Sequence, residues 1–275
     1  MRPLHGISVV SLALNVPGPV AAARLVELGA TVVKVEPPAG DPLAHAHRGW
    51  YDLLHARQEV ARLDLHEERD RARLDRLLER ADLLLTSSRP ATLERLALGW
   101  PELHARHPRL AQVAIVGYPR PHENRPGHDL TYVAARGLVA PPELPRTLIA
   151  DLGGAQRAVE AALALILARE RGEDAGYVEV ALAEAADFFA APLRLGLTAP
   201  GGGLGGGLPE YGLYRARTGW IALAALEQRF QERLRVELGL AALTREALEE
   251  AFRDRSPEDW EAWAAARDLP IAAVR

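Results

Sequence analysis

Apolar positions in the first forty residues follow two periods, and their alternation predicts a β-α-β unit. "ISVVSLAL" is a nearly continuous apolar, β-branched run, as expected of a strand buried on both faces. "PGPVAAARLVELGA" reads as a helix beginning near Pro19 and ending at Gly29, and "TVVKVEPP" as a second strand stopped by prolines. Gly18, beside the helix start, lets a ligand or another stretch of backbone come close. Further on, "LDRLLERADLLLTSS" supplies the end of a helix and a strand, while "TLERLAL", "PELHARHP" and "LAQVAIVGY" add two short helices and another strand. This succession predicts an α/β fold, an open and mostly parallel Rossmann-like sheet with helices on both faces. The first turn has no GxGxxG pattern, so a nicotinamide dinucleotide has little support.

The longest helix signal is 151–171, "DLGGAQRAVEAALALILARER", apolar on more than one side and therefore central in the packing. "GYVEVALAEAADFF" adds a short strand and a helix. The glycine-rich "TAPGGGLGGGLPE" marks the clearest change in composition and reads equally as a mobile linker or as a loop that approaches a ligand closely. Beyond it, "YGLYRARTGWIALAAL" predicts two strands joined at Thr-Gly, followed by helices in "EQRFQERLRVEL", "REALEEAF" and "SPEDWEAWAAA" and a closing strand in "LPIAAVR". The expected organisation is a large domain over 1–200 and a smaller second domain over 201–275.

Composition narrows the chemistry. With 275 residues, 48% of them hydrophobic, there is material for a sizeable core. The chain has no cysteine, which excludes disulfides, thiolate nucleophiles and Cys-ligated metal sites, so a nucleophile must be oxygen or nitrogen. A formal net charge of -4 provides no global attraction for nucleic acid. No apolar stretch reaches the roughly 20 residues a membrane span needs, and the first residues lack the pattern of a signal peptide; a cytoplasmic protein is expected. Of the 33 basic residues only Lys34 is a lysine.

Several residues could carry chemistry. His128 follows the Pro-Gly turn of "RPGHDLTY" and is either a surface imidazole or part of a site at the sheet edge. Asp129 is the natural cap for its own helix. Asp151 could cap the long helix or act as a catalyst, with Gly153 and Gly154 permitting close packing beside it. Glu227, in "ALEQRF", is a first-turn partner of the helix dipole or an acid that orients an imidazole. Arg89 is a phosphate anchor or a surface residue. His45, His47 and His55 lie in a polar linker, and His104 and His107 flank a proline boundary without a carboxylate motif, so no metal site is expected.

Taken in order, "GISVVSLALNVPGPVAAARLVELGATVVKVEPPAGDP", "ADLLLTSSRPATLERLALGW", "RPGHDLTYVAARG", "IADLGGAQRAVEAALALILARERGEDAGYVEVAL" and "YGLYRARTGWIALAALEQRF" resemble the class III CoA-transferase family, the CaiB/BaiF type, and within it the alpha-methylacyl-CoA racemase branch. The resemblance implies catalytic roles for His128, Asp151 and Glu227. In racemization the first two would serve opposite faces of the carbon beside the thioester, with Glu227 orienting His128. In the transferase branch the aspartate at the Asp151 position takes up the acyl group as a mixed anhydride. The reading preferred here is racemization of a 2-methylacyl-CoA through an enolate; the alternatives are CoA transfer between carboxylic acids and an inactive relative that binds a CoA-like ligand.

The resemblance further implies an acyl-CoA thioester as partner, with CoA as part of the substrate and no other cofactor, and a homodimer of interlocked chains. Backbone donors at Gly153 and Gly154 would stabilise the enolate, and Lys34, Arg89 and Arg57 would contact CoA, with Arg62 in reserve. The chain departs from the pattern at Leu14, where the family has an arginine, and at "HARQEVARLDL", where it has a basic segment. It also stops after "LPIAAVR", where relatives continue, so a more open pocket is expected.

Overall fold

The computed structural model describes residues 1–275. They divide into two compact units, Met1–Phe189 and Ala190–Arg275, so the division falls about ten residues before the expected boundary at 200, with the glycine-rich stretch in the second unit. The first unit opens with β1 (Ser8–Ser11), α1 (Pro17–Glu27) and β2 (Thr31–Glu36). Next come α2 (Pro42–Ala46), α3 (Arg48–His55), β3 (Glu59–Arg62), α4 (Glu68–Leu78) and β4 (Leu83–Thr86). Then follow α5 (Pro90–Arg95), α6 (Trp100–Arg106), β5 (Ala111–Val116) and α7 (Asp129–Ala134). The unit closes with α8 (Ile149–Glu170), β6 (Tyr177–Ala181) and α9 (Leu182–Phe189).

All six strands pair in parallel in the order β3-β2-β1-β4-β5-β6, the doubly wound arrangement the apolar runs predict. Those runs are continuous because both faces of the sheet are covered. Val9, Leu83 and Leu85 point into one core with α1 and α8, whereas Val10 and Leu84 point into the other with Leu74 and Leu78 of α4 and Leu103 of α6. Gly18 serves backbone packing, since a Cβ there would collide with Ala13. At the close of α1, Gly29 takes φ 109°, a left-handed conformation that terminates the helix.

The segment expected to be a polar linker is helical. Asp41 caps α2 by accepting from the Leu43 N–H at 2.9 Å, and the His47 ring caps α3 by accepting from the Trp50 N–H at 3.1 Å. These are local side-chain caps on short helices of 5 and 8 residues, too brief for periodicity to reveal.

The second unit contains α10 (Ala191–Arg194), a single 3-10 turn at Gly203–Gly205, β7 (Tyr211–Arg215), β8 (Trp220–Ala224), α11 (Gln228–Glu237), α12 (Arg245–Phe252), α13 (Pro257–Ala265) and β9 (Ile271–Ala273). Its sheet is antiparallel in the order β7-β8-β9. The core is a chain of tilted and edge-on rings running from Tyr214 through Phe252 and Trp260 to Trp263, with centroid separations of 5.3, 5.1 and 5.1 Å.

The glycine-rich stretch is not a free linker, and Leu204 and Gly206 within it border a pocket of about 450 Å3 with Tyr211, Leu213 and Arg245. It folds on itself: the Gly201 N–H donates to Gly205 O, the Gly202 N–H to Ala199 O and the Leu204 N–H to Leu197 O. A Cβ on Gly202 or Gly205 would strike these carbonyls, so at these two positions glycine lets backbone pack on backbone.

Candidate active site at the sheet switch point

Strand order reverses between β1 and β4, and a pocket of about 270 Å3 opens at the carboxyl ends of β1, β4 and β5. Its floor is the loop after β1, which two side chains hold. Ser87, following β4, accepts from the Leu14 N–H at 2.9 Å, and Asp41 accepts from the Asn15 N–H at 3.0 Å, fixing Asn15 at φ 64°. His128, Tyr132 and Asp151 line the pocket from α7 and α8, with Arg89 and Arg125 beside them.

Local capping explains how His128 and Asp151 come to face the same space. At the start of α7 the His128 N–H donates to Thr131 Oγ1 at 3.1 Å, and that hydroxyl donates back to His128 O at 2.8 Å. The backbone is thereby satisfied by Thr131, and the exposed imidazole makes no cap bond.

Asp151 is not the cap of α8, and Asp129 is not the cap of its own helix. Position 148, where a cap for α8 would stand, is a leucine. The buried Asp129 carboxylate takes over from 21 residues upstream: its Oδ1 accepts from the Ala150 N–H at 2.7 Å and from the Asp151 N–H at 3.0 Å. Asp151 then sits in the first turn of α8 with its carboxylate free of hydrogen bonds. Burial, reinforced by the neighbouring negative charge of Asp129, pushes its pKa up to about 7. A helix N-terminus ordinarily favours the anion, but the donors nearest to it are already occupied by Asp129.

This arrangement leads to one expected result. Asp129→Ala should destabilise the fold by ~1–2 kcal/mol through loss of the side-chain cap on α8. It should also shift the Asp151 titration to lower pH, because the repelling neighbour is gone, which 13C NMR of the labelled carboxyl would follow.

The other residues expected at the site have surroundings of their own. Lys34 is buried at 1% exposure, with its ammonium bonded to Asp41 and 3.7 Å from Glu36; it is part of an internal charge cluster and offers nothing to a phosphate. Gly153 and Gly154 lie inside α8, where their N–H groups belong to the helix. A Cβ on Gly153 would strike Phe189 and one on Gly154 would strike Leu182, so both serve the packing of α8 against α9 and neither is an enolate donor. Arg57 is exposed, beyond α3, and lines neither this pocket nor its neighbour. Arg62 is exposed and 3.9 Å from Glu36. Glu227 is the exposed N-cap residue of α11 in the second unit, and its side chain caps nothing. No three His, Asp or Glu side chains are grouped to hold a metal ion.

Among the pocket residues that the sequence did not single out are Tyr132, Arg125, and Glu123, whose Oε2 is buried without a partner. Beside this pocket, sharing Leu14, lies a more apolar one of about 440 Å3 over the ends of β1, β2 and β3, bordered by Val35, Pro37, Leu63 and Leu65. No helix is long and apolar enough to cross a membrane.

A doubly wound sheet with an imidazole and a poorly stabilised carboxylate at its switch point defines an α/β protein with an acid–base or nucleophilic pocket. Comparison with known sequences makes this specific: residues 4–275 match the profile of CoA-transferase family III, and the chain belongs to that family. It is 35% identical over 208 residues to the probable fatty acyl-CoA transferase Rv3272 of Mycobacterium tuberculosis, covering 67% of this chain and 52% of that protein. It is 32% identical over 278 residues to human alpha-methylacyl-CoA racemase, covering 94% of this chain and 69% of the racemase. A third relative, the succinyl-CoA–D-citramalate CoA-transferase of Chloroflexus aurantiacus, is 32% identical over 193 residues, which cover 65% of this chain and 48% of that enzyme. The chain thus spans about half the length of the two transferases. The crystal structure of Rv3272 superposes with a TM-score of 0.86 at 27% identity, covering 100% of this chain and 86% of that one.

Proposed function

We propose that the protein is an enzyme that transfers CoA from an acyl-CoA thioester to a carboxylic acid, with Asp151 as the covalent carrier. The observation that carries this reading is the state of Asp151: a carboxylate lining the pocket, without hydrogen bonds, whose helix donors are consumed by Asp129. A carboxylate deprived of hydrogen-bond donors is a better nucleophile than one that is surrounded by them.

Asp151 attacks the thioester carbonyl, the carbon–sulfur bond breaks, and CoA leaves as the thiolate from an acyl-aspartyl anhydride. The thiolate attacks the Asp151 carbonyl and expels the first acid as its carboxylate, leaving an aspartyl-CoA thioester. An acceptor carboxylate then repeats the sequence in reverse and regains the CoA. The apolar pocket that shares Leu14 with the catalytic one is suited to the CoA nucleotide, with Arg89 and Arg125 as counterions for its phosphates. Relatives named as CoA-transferases support this reading.

Racemization is the second reading. It is supported by His128 lining the same cavity as Asp151, since inversion needs two proton-handling groups, and by the likeness to the human racemase. Either reading expects a homodimer that covers the exposed Leu167 and Phe188.

Incubation with octanoyl-CoA or succinyl-CoA and a panel of carboxylic acids should yield new acyl-CoA species, and mass spectrometry after hydroxylamine treatment should show hydroxamate at Asp151. If neither forms, while 2-methylacyl-CoA exchanges its alpha proton in D2O with inversion, transfer is replaced by racemization.

A further inference from the structure

We propose that the Tyr132 hydroxyl is a hydrogen-bond donor to the thioester carbonyl oxygen in the Asp151 pocket, and so a catalytic residue. The inference rests on the reading of that pocket as a thioester site.

Of the other five tyrosines three have a fixed hydroxyl partner, while Tyr118 and Tyr211, more exposed than Tyr132, have none. Tyr51 donates to Glu36 at 2.7 Å, Tyr177 donates to Glu179 at 2.6 Å, and Tyr214 donates to the carbonyl of Pro209. Tyr132 is 2% exposed and lines the pocket, and its hydroxyl meets no partner in the chain. The hydroxyl is not sealed in the core but opens into the pocket, where it is free to donate to a bound molecule.

The chain around it is shaped to seat this phenol. Gly117, just after β5, and Gly127, two residues before α7, flank the ring. A Cβ on Gly117 would lie 2.5 Å from the Tyr132 hydroxyl, and one on Gly127 would lie 2.5 Å from Cε1 and 2.7 Å from the hydroxyl. Neither glycine has a positive φ, so it is space for the phenol, and not backbone conformation, that excludes side chains there. The ring is further fixed edge-on against Tyr118 at a centroid distance of 5.1 Å. The donor is thus preorganised by packing, as a group that stabilises developing charge must be.

Its protonation state fits the role. Burial pushes the phenol up to about 12, with Tyr118 and then Asp151 contributing, so it remains a donor across the neutral range. As Asp151 attacks, the thioester carbonyl oxygen takes on negative charge, and the phenol proton is shared with that oxygen without leaving Tyr132. An enolate oxygen would be held in the same way.

The test is Tyr132→Phe, which retains the ring between the two glycines. The expected result is a fall in kcat of ~10²–10³-fold with KM for octanoyl-CoA changed little, on a fold whose melting temperature is no lower than that of the wild type. A second readout is independent of turnover. Carbonyl-13C-labelled octanoyl-CoA bound to Asp151→Ala should show its carbonyl stretch displaced to lower frequency by infrared difference spectroscopy, and the displacement should vanish in Asp151→Ala/Tyr132→Phe. Binding with an unchanged band in the double variant overturns the role of Tyr132 and leaves the transferase reading standing. Failure of octanoyl-CoA and succinyl-CoA to bind overturns the thioester site, and this inference with it.

Discussion

Replacing Asp151 with asparagine should abolish activity and stabilise the protein. Loss of the attacking oxygen is expected to lower kcat by ~10⁴-fold or more, as for other covalent catalysts whose nucleophile is removed. The stability gain follows from the raised pKa. Between the ordinary value of 3.8 and about 7, the folded protein binds a proton that the unfolded chain has released. Stability therefore falls as pH rises through that window, and the loss is complete above it. The asparagine carries no such charge, so Asp151→Asn should be more stable than wild type by about 2–4 kcal/mol at pH 8, an advantage that disappears below pH 4. Chemical denaturation at the two pH values checks the sign. The same titration predicts that kcat/KM of the wild type rises with pH around 7 as the carboxylate forms.

The second large effect is expected at Lys34. Its ammonium is bonded to Asp41 and lies 3.7 Å from Glu36, and all three side chains are at most 1% exposed. Glu36 is also held by the Tyr51 hydroxyl at 2.7 Å. Lys34→Met leaves Asp41 buried without its cation and Glu36 with only the exposed Arg62 at 3.9 Å, and breaking a buried pair in this way typically costs ~3–5 kcal/mol, a large part of an ordinary domain's stability. Denaturant unfolding would measure it. Because Asp41 also holds the Asn15 N–H, the floor of the catalytic pocket should loosen along with the core. Lys34→Met/Asp41→Asn should recover part of the loss by removing one of the stranded charges.

The doubly wound sheet was legible because its strands are apolar runs and its principal helices are long. "ISVVSLAL" and "LAQVAIVGY" hold the strands β1 and β5, and α8 spans 22 residues. Family membership was legible for the same reason, through ordered motifs spread along the chain. The roles of individual polar residues were less so. Capping is ordinarily read from the residue just before a helix, and nothing local announces that Asp129 reaches across to α8; the one available signal was that Leu148 cannot cap. Lys34 looked like a phosphate ligand because cations are usually exposed, and its burial depends on two carboxylates brought to it by tertiary structure. Gly153 and Gly154 looked like ligand donors because a glycine records only that something is close, and here the neighbours are Phe189 and Leu182. Tyr132 falls among ordinary core positions by spacing, and only its unpaired hydroxyl distinguishes it.

Asp129 gives one side chain two duties that evolution would otherwise adjust separately. It anchors the turn of backbone that aims Asp151, and its charge raises the energy of the Asp151 anion. A substitution that removes the charge relaxes the repulsion, and unless it keeps an acceptor oxygen, as asparagine does, it releases the anchor as well. Aim and reactivity of the Asp151 carboxylate are therefore coupled through position 129, and an acidic residue there sets both at once.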